Sequence, residues 1–113
     1  MKELRKTIKV FNNERDWAQF HSPKNLAMAL SVEVSELLEH FQWLTQEQSR
    51  NLSPAKKEKI SEEIGDILIY LVNLADKLDI DPLQAAKNKI GKNQKKYPVD
   101  KSRGKSLKYN ELA

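Results

Sequence analysis

Two short runs of this sequence hold side chains that could do chemistry together. Glu33-Val34-Ser35-Glu36 and Glu63-Ile64-Gly65-Asp66 each carry two carboxylates three positions apart. On a helix, residues three apart share a face, so each pair aims two carboxylates at one point. Glu-x-x-Glu is frequent on solvated helices, and one such pair alone says little. At roughly 100° per residue, Glu33 falls between Leu26, Leu30 and Leu37 on one side and Ala29 on the other, with Glu36 at the edge of that stripe. Glu63 aligns with Tyr70 and Leu74 and lies next to Ile67, and Asp66 again sits at the edge. Acids therefore stand on or beside faces that must pack inward. Unpaired carboxylates are costly to bury, and crowding adds mutual repulsion. A divalent cation with a taste for hard oxygen ligands, Mg²⁺ or alternatively Mn²⁺, relieves both costs. Lys or Arg partners, or a solvent-wet rim, would relieve them as well. Glu39 and Glu62 fall further off the inward faces and read as supporting or surface groups, Glu39 the nearer to the site. A di-iron carboxylate bundle calls for Glu-x-x-His on two helices. His40 follows Glu36 by four residues rather than three, and no His lies near Glu63, so that class is set aside.

The elements that must position these acids are helices. Ser22-Pro23, Ser53-Pro54 and Asp81-Pro82 each pair a capping side chain with Pro, which has no N–H to waste at the first helical position. Helices are therefore predicted to start near Pro23, Pro54 and Pro82, with another from Lys2 to Phe20. The second should end near Trp43, before the polar stretch Thr45 to Ser53, and the third near Leu78. The fourth should fade at Tyr97-Pro98, because the residue before Pro resists helical geometry. Residues beyond about 98 read as an irregular tail. The expected fold class is all-α, a compact bundle of four main helices, in a single domain over 1–113.

Composition agrees and removes several function classes. Of 113 residues only 3 are Gly and 4 Pro, a mix that favours helices over strands. There is no Cys, hence no disulfide, cysteine zinc site or thiol nucleophile. No apolar stretch reaches the length of a membrane span, and the charged start has no signal-like apolar core, so a cytoplasmic location without membrane partners is expected. So short a chain buries a modest core, and oligomerisation would cover more apolar surface. The net charge of +4 is mild but segregated: eight acids lie from Glu33 to Asp66, whereas nine Lys/Arg and one acid, Asp100, lie from Lys87 to Lys108. Such a division suits a cation beside a polyanion, or simply two solvated surfaces.

The ordered set of motifs resembles the MazG-like, all-α nucleoside triphosphate pyrophosphatases, and within them the deoxycytidine triphosphate branch. The resemblance rests on the two acidic pairs and on Glu14-Arg15-Asp16-Trp17, Phe20-His21, Pro23-x-Asn25-Leu26, Phe41-Gln42-Trp43, Asp66-Ile67-Leu68-Ile69-Tyr70-Leu71, Lys96-Tyr97-Pro98 and Lys108-Tyr109. It covers about Phe11 to Leu112. Ile8 departs from the pattern, since vertebrate members carry His there, and the departure bears on base preference.

The resemblance implies a concrete enzyme. It would cleave nucleoside triphosphates, dCTP or related deoxynucleotides, to the monophosphate and pyrophosphate, in the house-cleaning of nucleotide pools. Glu33, Glu36, Glu63 and Asp66 would bind Mg²⁺, and a metal-activated water would attack the α-phosphorus. Trp17 and Trp43 would wall the base, with Gln19 and His21 offering hydrogen bonds to its edge. Tyr70, Lys89 and Asn93 would contact sugar or phosphate, with Lys96, Arg103, Lys108 and Tyr109 as weaker candidates. The assembly would be a homo-oligomer, dimer or tetramer, whose sites are completed between subunits. A non-enzymatic helical protein that binds nucleic acid is the alternative, but inward acids would repel its phosphates. No stable nucleic-acid partner is expected of the enzyme.

Overall fold

A computed structural model describes residues 1–104. Among them there is no strand, and the helices run α1 (Lys2–Glu14), α2 (Pro23–Glu39), α3 (Gln46–Arg50), α4 (Pro54–Lys77), α5 (Pro82–Lys96) and α6 (Val99–Ser102), with a 3₁₀ turn at Ala18–Phe20. The chain divides into two compact units, Met1–Ile80 and the part from Asp81 onward.

The three Ser/Asp-Pro starts form as the sequence predicts. Ser22 Oγ accepts from the Asn25 amide, Ser53 Oγ from the Lys56 amide, and Asp81 Oδ1 from the amides of Leu83 and Gln84. Each cap satisfies donors that the first turn of a helix leaves without a partner.

Three boundaries differ from expectation. The first helix stops at Glu14 rather than reaching Phe20. Asp16 turns left-handed at φ 52°, the Asp16 amide bonds Asn13 O at 3.2 Å, and the Trp17 amide bonds Asn12 O at 3.0 Å. That is a Schellman ending, and Asp is among the few side chains that tolerate the left-handed position. The second helix gives way at His40 to turns through Trp43. The expected loop Thr45 to Ser53 contains α3, because Thr45 and Gln48 form a reciprocal capping box. In addition, the tail from residue 99 begins with a helical turn, α6.

In the first unit α4 is the central element and packs against both α2 and α1. Its core is small: Ile8, Leu26, Ile60, Val72 and Ala75 are buried, Leu26 to 1 % exposure. Ile64, Leu68 and Leu71, at i, i+4, i+7 on α4, stay exposed. No helix among the described residues is long and apolar enough to cross a membrane.

Candidate functional site

Where α2 packs on α4, Glu33, Glu36 and Glu63 converge. One carboxylate oxygen from each lies within 4.8 Å of the others, and all three side chains are half-buried. Glu33 Oε2 and Glu63 Oε2 are shut off from solvent and have no hydrogen-bond partner. Among the described residues no Lys or Arg forms an ion pair with any of the four acids of the two motifs. Of the arrangements open to the sequence, pairing by basic side chains is therefore not the one adopted. Two orphaned, inward oxygens in a cluster of hard anionic donors fit a divalent cation.

The electrostatics carry the same message. Burial pushes the Glu33 carboxyl up to about 7, helped by a hydrogen bond with Glu36 and by repulsion from Glu36, Asp66 and Glu63. The Glu63 carboxyl is also raised, first by burial, then by Glu36 and Asp66, while His40 pulls it the other way. A cation among these oxygens would remove the repulsion and compete with protons for them.

Asp66 is not one of the three that converge. It is exposed, and it lines a groove of about 320 Å³ between α1 and α4, together with Leu4, Ile8, Phe11, Trp17, His21 and Tyr70. Asp66 thus stands where the acidic cluster passes into an apolar and aromatic cleft. Trp17 is held there by the Schellman ending of α1 and by an edge-to-face contact with Phe11, centroids 5.5 Å apart. The Arg15 guanidinium covers the Phe11 ring at 3.8 Å.

The profile of the MazG-like family matches residues 28–112. The chain belongs to the MazG-like family. It is 44 % identical to dCTP pyrophosphatase 1 of Bos taurus over 99 % of its own length and 68 % of that protein's. Identity to dCTP pyrophosphatase 1 of Homo sapiens is 41 %, over 99 % of this chain and 67 % of that one. A pyrophosphatase from Archaeoglobus fulgidus shares the fold with a TM-score of 0.83 and 43 % identity, over 87 % of this chain and 92 % of its own.

In this MazG-like chain the expected nucleotide contacts separate into groups. Trp17, His21 and Tyr70 line the groove. His21 is held below the ordinary imidazole range by burial and then by Lys77, so it is neutral near pH 7. Ile8, Asn12, His21 and Asn73 also line a smaller adjoining cleft of about 70 Å³ that includes Arg5, Lys9 and Lys77. Gln19 does not line the groove; it is exposed, and its amide donates to Asp16 O at 3.0 Å and Asp16 Oδ2 at 2.9 Å. Trp43 lies in the turns after α2 and is 87 % exposed, outside the groove of its own chain. On α5, in the second unit, Lys89 is exposed and Asn93 half-buried. Lys108 and Tyr109 lie outside the described residues.

Sequence reasoning overlooked Asn12 and Asn73. Asn12 Nδ2 donates to Asn73 Oδ1 at 3.0 Å, and Asn12 is buried to 8 % exposure. The signal was present: each polar amide follows apolar residues at helical spacing, Asn12 after Leu4 and Ile8 at i+4 steps, Asn73 four residues after Ile69. His40 lacks the spacing of an iron ligand, yet its charge reaches Glu63.

Proposed function

We propose that this protein hydrolyses deoxynucleoside triphosphates, deoxycytidine triphosphate first among them, to the monophosphate and pyrophosphate. The activity class, a nucleotide pyrophosphohydrolase, follows from the family and from relatives 41–44 % identical named dCTP pyrophosphatase 1. The observation that carries the reading onto this chain's residues is the pair of orphaned oxygens on Glu33 and Glu63 beside an aromatic-walled groove.

In this reading Glu33, Glu36, Glu63 and Asp66 hold Mg²⁺. When bound, the cation supplies charge neutralisation on the triphosphate and makes water a stronger nucleophile at neutral pH. The remaining work belongs to the chain. Trp17 presents a flat face on which a base stacks, which gives affinity without identity. Tyr70, one turn beyond Asp66, offers its hydroxyl to sugar or phosphate. Lys89 and Asn93 contact the phosphates. The apolar wall of Leu4, Ile8 and Phe11 excludes water from the base, which strengthens the polar contacts made there.

We further propose that the working unit is a homo-oligomer in which a neighbouring copy completes each site. Two features support this. The stripe Ile64–Leu68–Leu71 is exposed on α4, and Trp43 is almost wholly bare, both of which suit surfaces covered by a second subunit. Trp43 then belongs to the base-binding wall of that assembly. A panel of nucleoside triphosphates incubated with Mg²⁺, scored for pyrophosphate against orthophosphate, tests the reading. Pyrophosphate from deoxynucleotides is expected; orthophosphate and a diphosphate would contradict attack at the α-phosphorus.

A further inference from the structure

The groove contains a polar feature that neither cation binding nor stacking uses. The single hydrogen bond between Asn12 and Asn73 consumes one N–H of Asn12 and one lone pair of Asn73. It leaves Asn12 Oδ1, an acceptor, beside Asn73 Nδ2, a donor. Among the described residues neither amide makes another side-chain hydrogen bond. Both line the groove, among Leu4, Ile8, Phe11 and Ile69. A ligand edge that offers a donor beside an acceptor would pair with both at once.

Their position along α4 suggests what that is. Asp66, Tyr70 and Asn73 fall at i, i+4, i+7, and all three line the groove. Helical rise sets Asn73 about 10 Å along the axis from Asp66. That is the span from the α-phosphate of a nucleotide to the far edge of its base. A nucleotide with its phosphates at the acidic end therefore brings its base edge to the amide pair.

We propose that Asn12 and Asn73 read the base edge. Asn12 Oδ1 accepts from an exocyclic amino group, and Asn73 Nδ2 donates to the unprotonated ring nitrogen beside it. In this orientation the pair complements the edge that cytosine presents and not the edge of thymine or uracil. A thymine sets a carbonyl oxygen against Asn12 Oδ1 and an N–H against Asn73 Nδ2. Like then meets like at both points, and buried polar groups are left unpaired, a stronger basis for rejection than shape alone. The proposal rests on the pyrophosphohydrolase reading, which directs the phosphates to the carboxylates.

The test measures binding as well as turnover. Calorimetric titration with the products dCMP and dTMP is expected to favour dCMP by about 10- to 100-fold in the wild-type protein. Asn73→Ala should bring the ratio close to one, chiefly by weakening dCMP. Asn73→Asp exchanges the donor for an acceptor and should turn the preference toward dTMP, whose ring N–H it can accept; a merely structural role cannot invert a preference. Asn73 is half-buried, so its variants are gentler on folding than Asn12→Ala, and thermal melting checks each. Kinetics on dCTP and dTTP should show the same ratios in kcat/KM. Unchanged ratios in folded, active Asn73 variants overturn the amide proposal and leave the hydrolase reading standing. Wild-type protein that releases pyrophosphate from no nucleoside triphosphate overturns the hydrolase reading, and this proposal with it.

Discussion

One helix, α4, serves two regions of opposite character. Near its first half, Glu63 meets Glu33 and Glu36 of α2 in a cluster of crowded anions whose inward oxygens have no partner. Further on, Tyr70 and Asn73 face α1 across a cleft of aromatic and aliphatic side chains with no carboxylate beyond Asp66. The first region is strained by charge and gains from a cation. The second is close to neutral and gains from a flat, apolar ligand with a few hydrogen-bonding groups. Asp66 stands at the boundary: its charge raises both glutamates, and its side chain lines the groove. A nucleoside triphosphate, with a highly charged end and an aromatic end, has the same division of character.

Substitutions at the acidic end should separate chemistry from binding. Glu63→Gln keeps the size and helix propensity of the side chain but removes one anionic ligand. We expect kcat to fall by about 1,000-fold, with helical content by circular dichroism unchanged. Turnover within a few fold of wild type would remove Glu63 from the metal site and make the two regions equivalent in importance.

At the neutral end the effect should be on binding. Trp17→Ala deletes a stacking face and should raise KM by about tenfold or more with a smaller change in kcat. A loss confined to kcat would mean that Trp17 acts in the acidic region and not beside it.

Acidity supplies a third test, in the cation-free protein. A Glu33 carboxyl raised from 4.5 to about 7 in the folded chain binds a proton more tightly folded than unfolded. Its contribution to stability is therefore present at low pH and is lost as pH rises from 4.5 through 7. The chelator-treated protein should melt at progressively lower temperature over that window, and Mg²⁺ should raise the melting point more at pH 8 than at pH 5, since protons compete with it. Equal Mg²⁺ stabilisation at both pH values would argue that the cluster does not bind the ion. The smallest effect is expected behind the groove. The Arg5–Asp76 ion pair, 3.2 Å long and largely exposed on the Arg side, should contribute no more than about 1 kcal/mol, so Arg5→Ala should barely alter denaturant midpoint or kinetics.

Much of this was legible before any coordinates. The three Ser/Asp-Pro signals placed the starts of α2, α4 and α5, because a cap and a proline both act on the chain within one turn. The wheel positions of Glu33, Glu36 and Glu63 marked them as acids on inward faces, since helical periodicity is a local property. Less visible were the stop at Glu14, which depends on a left-handed Asp16, and α3, whose capping box lies within a stretch that reads as loop.

By itself, then, the sequence determined where α2, α4 and α5 start and which faces carry acid, because both follow from interactions within a few residues along the chain. Only the tertiary structure decided that three of four carboxylates converge while Asp66 turns to the groove. It alone joined Asn12 to Asn73, 61 residues apart, and left Trp43 bare. Contacts across helices depend on how α1 and α2 pack on α4, and no periodicity within one helix specifies that packing.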